Sequence, residues 1–106
     1  METPATFRIR ITTEASSDLA AIFDYIWRDS AQNARRVADR ILAAVDGLEF
    51  MPSRFKIAGK SRATGASVHA MVVRPYIVYY RVEEALAAVF IVTIRHGARR
   101  QPKSFS

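Results

Sequence analysis

The chain of 106 residues contains no cysteine. Disulfide staples, Cys-bearing zinc sites and thiol nucleophiles are therefore excluded, and the absence fits a reducing compartment. Histidine is nearly as scarce, with only His69 and His96. Two histidines alone give little support to a metal centre, and neither metal nor cofactor is expected. No apolar run approaches the roughly 18 residues of a membrane span. Met1-Glu2-Thr3-Pro4 also lacks the basic start and apolar stretch of a secretory leader. These absences point to a cytoplasmic protein without membrane contact. Acidic residues are missing from one region only: after Pro52, just Glu83 and Glu84 remain.

Half of the chain is hydrophobic and a quarter is charged, a globular composition that suits one domain over residues 1–106. The formal charge of +6 is unevenly placed. Up to Pro52, six arginines face eight acids, net −2; from Ser53 onward, ten Lys and Arg face two acids, net +8. An anionic partner is therefore expected on the second half, as nucleic acid, acidic polypeptide or anionic surface.

Phe7, Ile9 and Ile11 alternate with Arg8, Arg10 and Thr12, the period of a half-buried strand. Ser16 and Ser17 offer an N-cap with Asp18 in the first turn. Leu19, Ile22, Phe23, Ile26 and Trp27 then fall on one stripe of a helix ending near Ser30, with Trp27 expected in the core. A second helix is expected from about Ala31 to Phe50, with Ala34, Val37, Ala38, Ile41, Val45 and Leu48 as its apolar face and Pro52 marking its end. So short a link makes the two a hairpin. Residues 53–67 break every pattern and are expected as a basic loop of about 15 residues. Strands follow at about Val68–Arg74, Tyr76–Val82 and Ala87–Arg95, and an irregular tail begins near Gly97. The order β-α-α-β-β-β describes an α+β fold of two layers, with a helical hairpin on one face of a curved, mainly antiparallel sheet and the other face uncovered.

Four segments together resemble the ParE branch of the RelE/ParE toxin superfamily, the toxic halves of type II toxin–antitoxin modules, often called plasmid stabilisation proteins. They are Leu19-Ala20-Ala21-Ile22-Phe23-Asp24-Tyr25-Ile26, Ala34-Arg35-Arg36-Val37-Ala38-Asp39-Arg40-Ile41, Pro75-Tyr76-Ile77-Val78-Tyr79-Tyr80-Arg81-Val82 and Ile94-Arg95-His96-Gly97-Ala98-Arg99-Arg100. The resemblance implies the fold already outlined. It also implies a tightly bound ParD-like antitoxin, whose acidic C-terminal segment wraps the toxin and whose other end binds operator DNA, so that this chain reaches DNA only indirectly. The basic second half suits such a partner, since opposite charge speeds encounter.

Two mechanisms occur in the superfamily. RelE-like members cut mRNA on the ribosome without a metal, which needs a base, cations for the phosphorane and an acid. An arginine usually follows the tyrosine at the position of Tyr76, but here Ile77 stands there, and no tyrosine follows His96. Both departures favour the ParE-like alternative, inhibition of DNA gyrase by binding, which needs no chemistry of its own. The weak catalytic candidates are His96 and Arg81. Antitoxin or target contacts are expected from Arg54, Lys56, Lys60, Arg62, Arg95, Arg99, Arg100 and Lys103. Glu83 and Glu84, being adjacent, are not a catalytic pair; His69 is expected at a surface or edge, and Tyr76 and Tyr80 on the opposite sheet face from Tyr79.

Overall fold

The computed structural model describes residues 6–105, so the Met1–Pro4 start lies outside the described residues. Strand β1 (Arg8–Ile11) leads into helix α1 (Thr13–Trp27), which a three-residue link joins to α2 (Ala31–Asp46). Two short 3-10 turns, Gly47–Glu49 and Pro52–Arg54, precede β2 (Ile57–Ser61), β3 (Ser67–Val73), β4 (Tyr76–Glu83), β5 (Ala88–His96) and β6 (Ser104–Phe105). The six strands form one curled mixed sheet in the order β1-β5-β4-β3-β2-β6. β1 runs parallel to β5 and β6 parallel to β2, while the pairs between β2, β3, β4 and β5 are antiparallel.

The α+β arrangement of a helical hairpin on a curved sheet is therefore present, with two strands more than expected. The supposed basic loop holds β2, whose Gly59 packs so closely that a Cβ there would lie 3.0 Å from the Lys103 carbonyl and the Phe105 ring. The supposed irregular tail holds β6, which pairs Lys60 with Ser104 and Ser61 with Phe105. Neither strand shows an apolar period, because each is short and held by its neighbour rather than by its own pattern.

The helix caps differ in the same way. Thr12, not Ser16 or Ser17, caps α1 by accepting the Ala15 N–H at 3.2 Å, and Ser30 caps α2 by accepting that of Asn33. α2 ends at Asp46 and tightens into the first 3-10 turn instead of running to Phe50. Its stripe of Ala34, Val37, Ile41 and Val45 is buried as its period requires. On α1 only Ala15 is fully buried; Leu19, Ile22 and Ile26 are half-buried. Trp27, expected in the core, is 44% exposed, packed beside Phe23 with the Arg35 guanidinium 5.3 Å from its ring.

Two apolar clusters divide the molecule. The main core lies between the helices and the sheet, around Ile41, Leu48, Val78, Tyr80, Val89 and Ile91. The opposite face is not left bare: Val68, Tyr79, Val92 and Phe105 form a second cluster, with Ala70 and Ile77 against it. The tail supplies its lid. Tyr79 donates to Gln101 at 2.6 Å, Phe105 packs on the Tyr79 ring at 4.9 Å, and Arg62 donates its Nε–H to the Ser104 hydroxyl.

One irregularity ties the two layers together. Tyr79 pairs with Thr93 but Tyr80 pairs with Ile91, leaving Val92 as an extra residue in β5. The start of α1 satisfies the groups this bulge frees. Thr12 donates its hydroxyl to the Ile91 and Val92 carbonyls, at 2.7 and 3.2 Å. Asp18 accepts from the Thr93 hydroxyl and, at 2.9 Å, from the Ile94 N–H. Asp18 thus holds the sheet and does not merely sit in a favourable helix turn. Replacing it by Ala leaves the buried Thr93 hydroxyl and the Ile94 N–H without partners, for an expected loss of about 2–4 kcal/mol. Urea denaturation of Asp18→Ala beside the native chain measures this, and a difference under about 0.5 kcal/mol would contradict the role.

Candidate functional site

The histidines lie on the helix side of the sheet. His69, expected at the surface, is 7% exposed; it stacks on Tyr80 at 5.2 Å, and its Nδ1 lies 2.8 Å from the Phe55 carbonyl oxygen. Its strand phase, shared with buried Met71 and Val73, carries the signal that places it inside. Tyr80, fully buried, donates to the Pro52 carbonyl. These two side chains pin the turn that presents Arg54 and Lys56 at the surface. The remaining candidate cations form two other groups. Lys60, Arg62 and Lys103 lie along the β2–β6 edge, and Arg95, Arg99 and Arg100 lie at the end of β5 and in the turn beyond it. The eight cations are therefore spread over three stretches of the fold.

The two catalytic candidates do not meet. His96 pairs with Tyr76 at one end of β4 and faces the helices, its ring edge-on to Tyr76 at 5.3 Å. Its Nδ1 accepts the Ala98 N–H at 3.0 Å, which shapes the turn carrying Arg99. Arg81 pairs with Phe90 and Val68 on the opposite face, with its guanidinium 4.5 Å from the Phe90 ring and Nε donating to Glu83 at 3.2 Å. Arg81 stands five positions beyond Tyr76 along β4, roughly 16 Å of β rise. Ile77 and Arg95 pair on that same opposite face, beside the tail-covered cluster. As expected, Tyr76 and Tyr80 belong to the main core and Tyr79 to the second cluster, so all three pack rather than offer stacking platforms.

A cleft of about 570 Å³ opens between α1 and the ends of β4 and β5. Ala21, Ile22 and Tyr25 form its helical wall and Tyr76, Ile94 and His96 its sheet wall, with Asp18 and Arg99 also lining it. Nothing in the hydropathy pattern marks this cleft, because its walls are assembled from elements some 50 residues apart. Among the described residues, no three His, Asp or Glu side chains stand together as a metal site, and no helix is long and apolar enough to cross a membrane.

This architecture is that of the small toxins of type II toxin–antitoxin modules. The fold matches a chain of the chromosomal ParDE system of Pseudomonas aeruginosa with a TM-score of 0.67 at 23% identity, covering 88% of this chain and 98% of that one. It also matches a chain of the RelBE2 toxin–antitoxin complex of Mycobacterium tuberculosis with a TM-score of 0.64 at 22% identity, over 93% of this chain and all of that one. Within that class the sequence is more specific. Residues 9–101 match the model of the ParE toxin of type II toxin–antitoxin systems, and the chain belongs to this family. Toxin RelE2 of Caulobacter vibrioides is 41% identical over 88 residues, 83% of this chain and 92% of that protein.

The Tyr80 hydroxyl gives the site region a pH signature. Burial pushes its pKa from 10.0 up to about 12, partly offset by the Arg54 guanidinium; burial also raises Tyr76 and Tyr79. Because the folded state holds these phenols neutral, stability is intact below pH 10 and falls as the unfolded chain ionises between 10 and about 12. Tyr80→Phe is expected to cost about 1 kcal/mol at neutral pH and to flatten the alkaline fall. Thermal unfolding from pH 7 to 11 checks it; an unchanged alkaline slope would contradict it.

Proposed function

We propose that this chain is the toxic half of its module and acts by binding DNA gyrase rather than by cutting RNA, and that a ParD-like antitoxin with an acidic C-terminal segment holds it inactive in the cytoplasm. One observation carries the choice of mechanism: His96 and Arg81 lie on opposite faces of the sheet, at opposite ends of β4. A cyclising nuclease needs a base, an acid and cations around one phosphate. On the face that bears Ile77 and Arg95, the space is taken by Phe105 and Gln101 instead.

Binding to gyrase demands only an exposed surface of suitable charge. The cations Arg54 and Lys56, Lys60, Arg62 and Lys103, and Arg99 and Arg100 are assigned to target or antitoxin contact, whereas Arg95 is half-buried beside the tail with its Nε enclosed. Operator DNA is reached through the antitoxin. The competing mechanism, ribosome-dependent cleavage of mRNA, draws support from the RelE2 name of the 41% identical relative, with His96 as its candidate base.

Purified protein is expected to inhibit plasmid supercoiling by gyrase or to accumulate cleaved DNA, with reversal by antitoxin. His96→Asn, whose Oδ1 can still accept the Ala98 N–H, should leave this inhibition within about twofold, since no proton transfer is involved. Codon-located mRNA cuts after induction that disappear in His96→Asn, with supercoiling untouched, would replace gyrase by the ribosome as the target.

A further inference from the structure

We infer that the edge formed by β2 and β6 binds the phosphate backbone of duplex DNA through Lys60, Arg62 and Lys103, without regard to base sequence. The inference rests on the gyrase reading above, in which the toxin meets DNA held by its target, and adds a direct contact with that DNA.

The fold brings these three cations together from two distant segments. Lys60 pairs with Ser104, the residue after Lys103, and Ser61 pairs with Phe105. Arg62 is tied to the same short strand twice. Its backbone N–H donates to the Phe105 carbonyl at 2.6 Å, and its Nε–H donates to the Ser104 hydroxyl at 2.9 Å. With Nε occupied, the two terminal amino groups of the guanidinium remain for a partner, in the fork that matches a phosphate. The turn beyond Arg62 is fixed as well. Gly65 donates its N–H to the Ser61 carbonyl at 2.8 Å, and Thr64 donates its N–H to the Ser61 hydroxyl at 3.3 Å. Lys60, Arg62 and Lys103 are all exposed, and among the described residues the only ion pair is Arg81–Glu83 on β4. Cations held in place without carboxylate partners are prepared for an anion.

The surroundings select duplex DNA over a protein or a single strand. Over residues 59–65 and 97–105, no large apolar side chain is exposed. The edge therefore lacks the apolar or aromatic anchor on which protein interfaces depend. Its aromatic neighbours Tyr79 and Phe105 are buried against each other, so no ring is offered to an unpaired base. What remains is polar and positive, the character of a contact with duplex phosphates. Such contacts position a duplex but read no bases, which separates this one from operator recognition by the antitoxin.

The test uses the full chain and a fluorescently labelled duplex oligonucleotide of mixed sequence. Lys60→Gln, Arg62→Gln and Lys103→Gln are combined in one edge variant. Arg8→Gln, Arg10→Gln and Arg28→Gln make a control of equal net charge, with β1 at the opposite edge of the sheet and Arg28 at the end of α1. Thermal melts confirm that both are folded, and Lys103→Glu alone replaces the edge variant should that one unfold. Anisotropy titrations over a salt series should give the native chain a slope of log affinity against log salt of about −2 to −3, as for three phosphates. The edge variant should bind at least tenfold more weakly with a flatter slope, and the control within about threefold of the native chain. No binding by the native chain at low salt overturns the inference, as does an equal loss in the edge variant and the control. Poly-glutamate that competes as well as unlabelled duplex overturns phosphate as the ligand. Supercoiling assays separate the site from the target. An edge variant that loses DNA binding yet inhibits gyrase like the native chain removes the contact from the mechanism. A native chain that binds duplex through this edge but leaves gyrase untouched overturns the gyrase reading and leaves the DNA site standing.

Discussion

The bulge in β5 is the constraint on which the rest of the structure depends. An extra residue at Val92 leaves backbone groups out of register with β4, and such groups are costly when buried without partners. Thr12 and Asp18 satisfy them, and both belong to the start of α1. A ladder defect has thereby become the joint between the layers. The helix can approach the sheet only where its cap and second turn meet the bulge, which sets the direction of the whole hairpin. Beyond the joint, Ile22 and Ile26 are half-buried and Tyr25 is exposed. The cleft opens beside this joint, with Asp18 and Ile94 lining it together with Ile22 and Tyr25 further along the helix.

Much of this fold was legible wherever burial was strong enough to impose a period. The α2 stripe of Ala34, Val37, Ile41 and Val45 is sandwiched against the sheet, so its spacing announced it. Strands β3, β4 and β5 are covered on both faces along much of their length, and their apolar runs were plain. β2 and β6 were hidden for a definite reason. Gly59 and Lys60 have little strand preference of their own, and the segment is a strand because the Phe105 ring and the Lys103 carbonyl close over Gly59. Trp27 sat on the right stripe, yet its turn of α1 projects beyond the core, so periodicity placed it inside when it lies half outside.

The candidate site was less legible, because a site is a convergence and sequence spacing does not show convergence. His96 and Arg81 looked like companions at the ends of two strands, but register and pleat put them on opposite faces. His69, in phase with Met71 and Val73, was a buried brace for the turn at Pro52 rather than an edge residue. The uncovered sheet face expected from a two-layer fold was covered by the last residues of the chain. That closure shifts attention to the helical side, where exposed Tyr25 and Trp27, the cleft and the cations of the β5 turn coincide.

The chain's own Phe105 and Gln101 cover the centre of the outer sheet face, and the proposed antitoxin contact is therefore expected on the α1 side. Amide hydrogen exchange followed by mass spectrometry, on the full chain alone and in its antitoxin complex, tests that claim directly. It predicts new protection over residues 18–27 and 95–100 on complex formation, with residues 67–73 and 101–105 exchanging as in the free chain. Protection gained instead over 67–73, with the tail from 101 released to fast exchange and α1 unchanged, would contradict it.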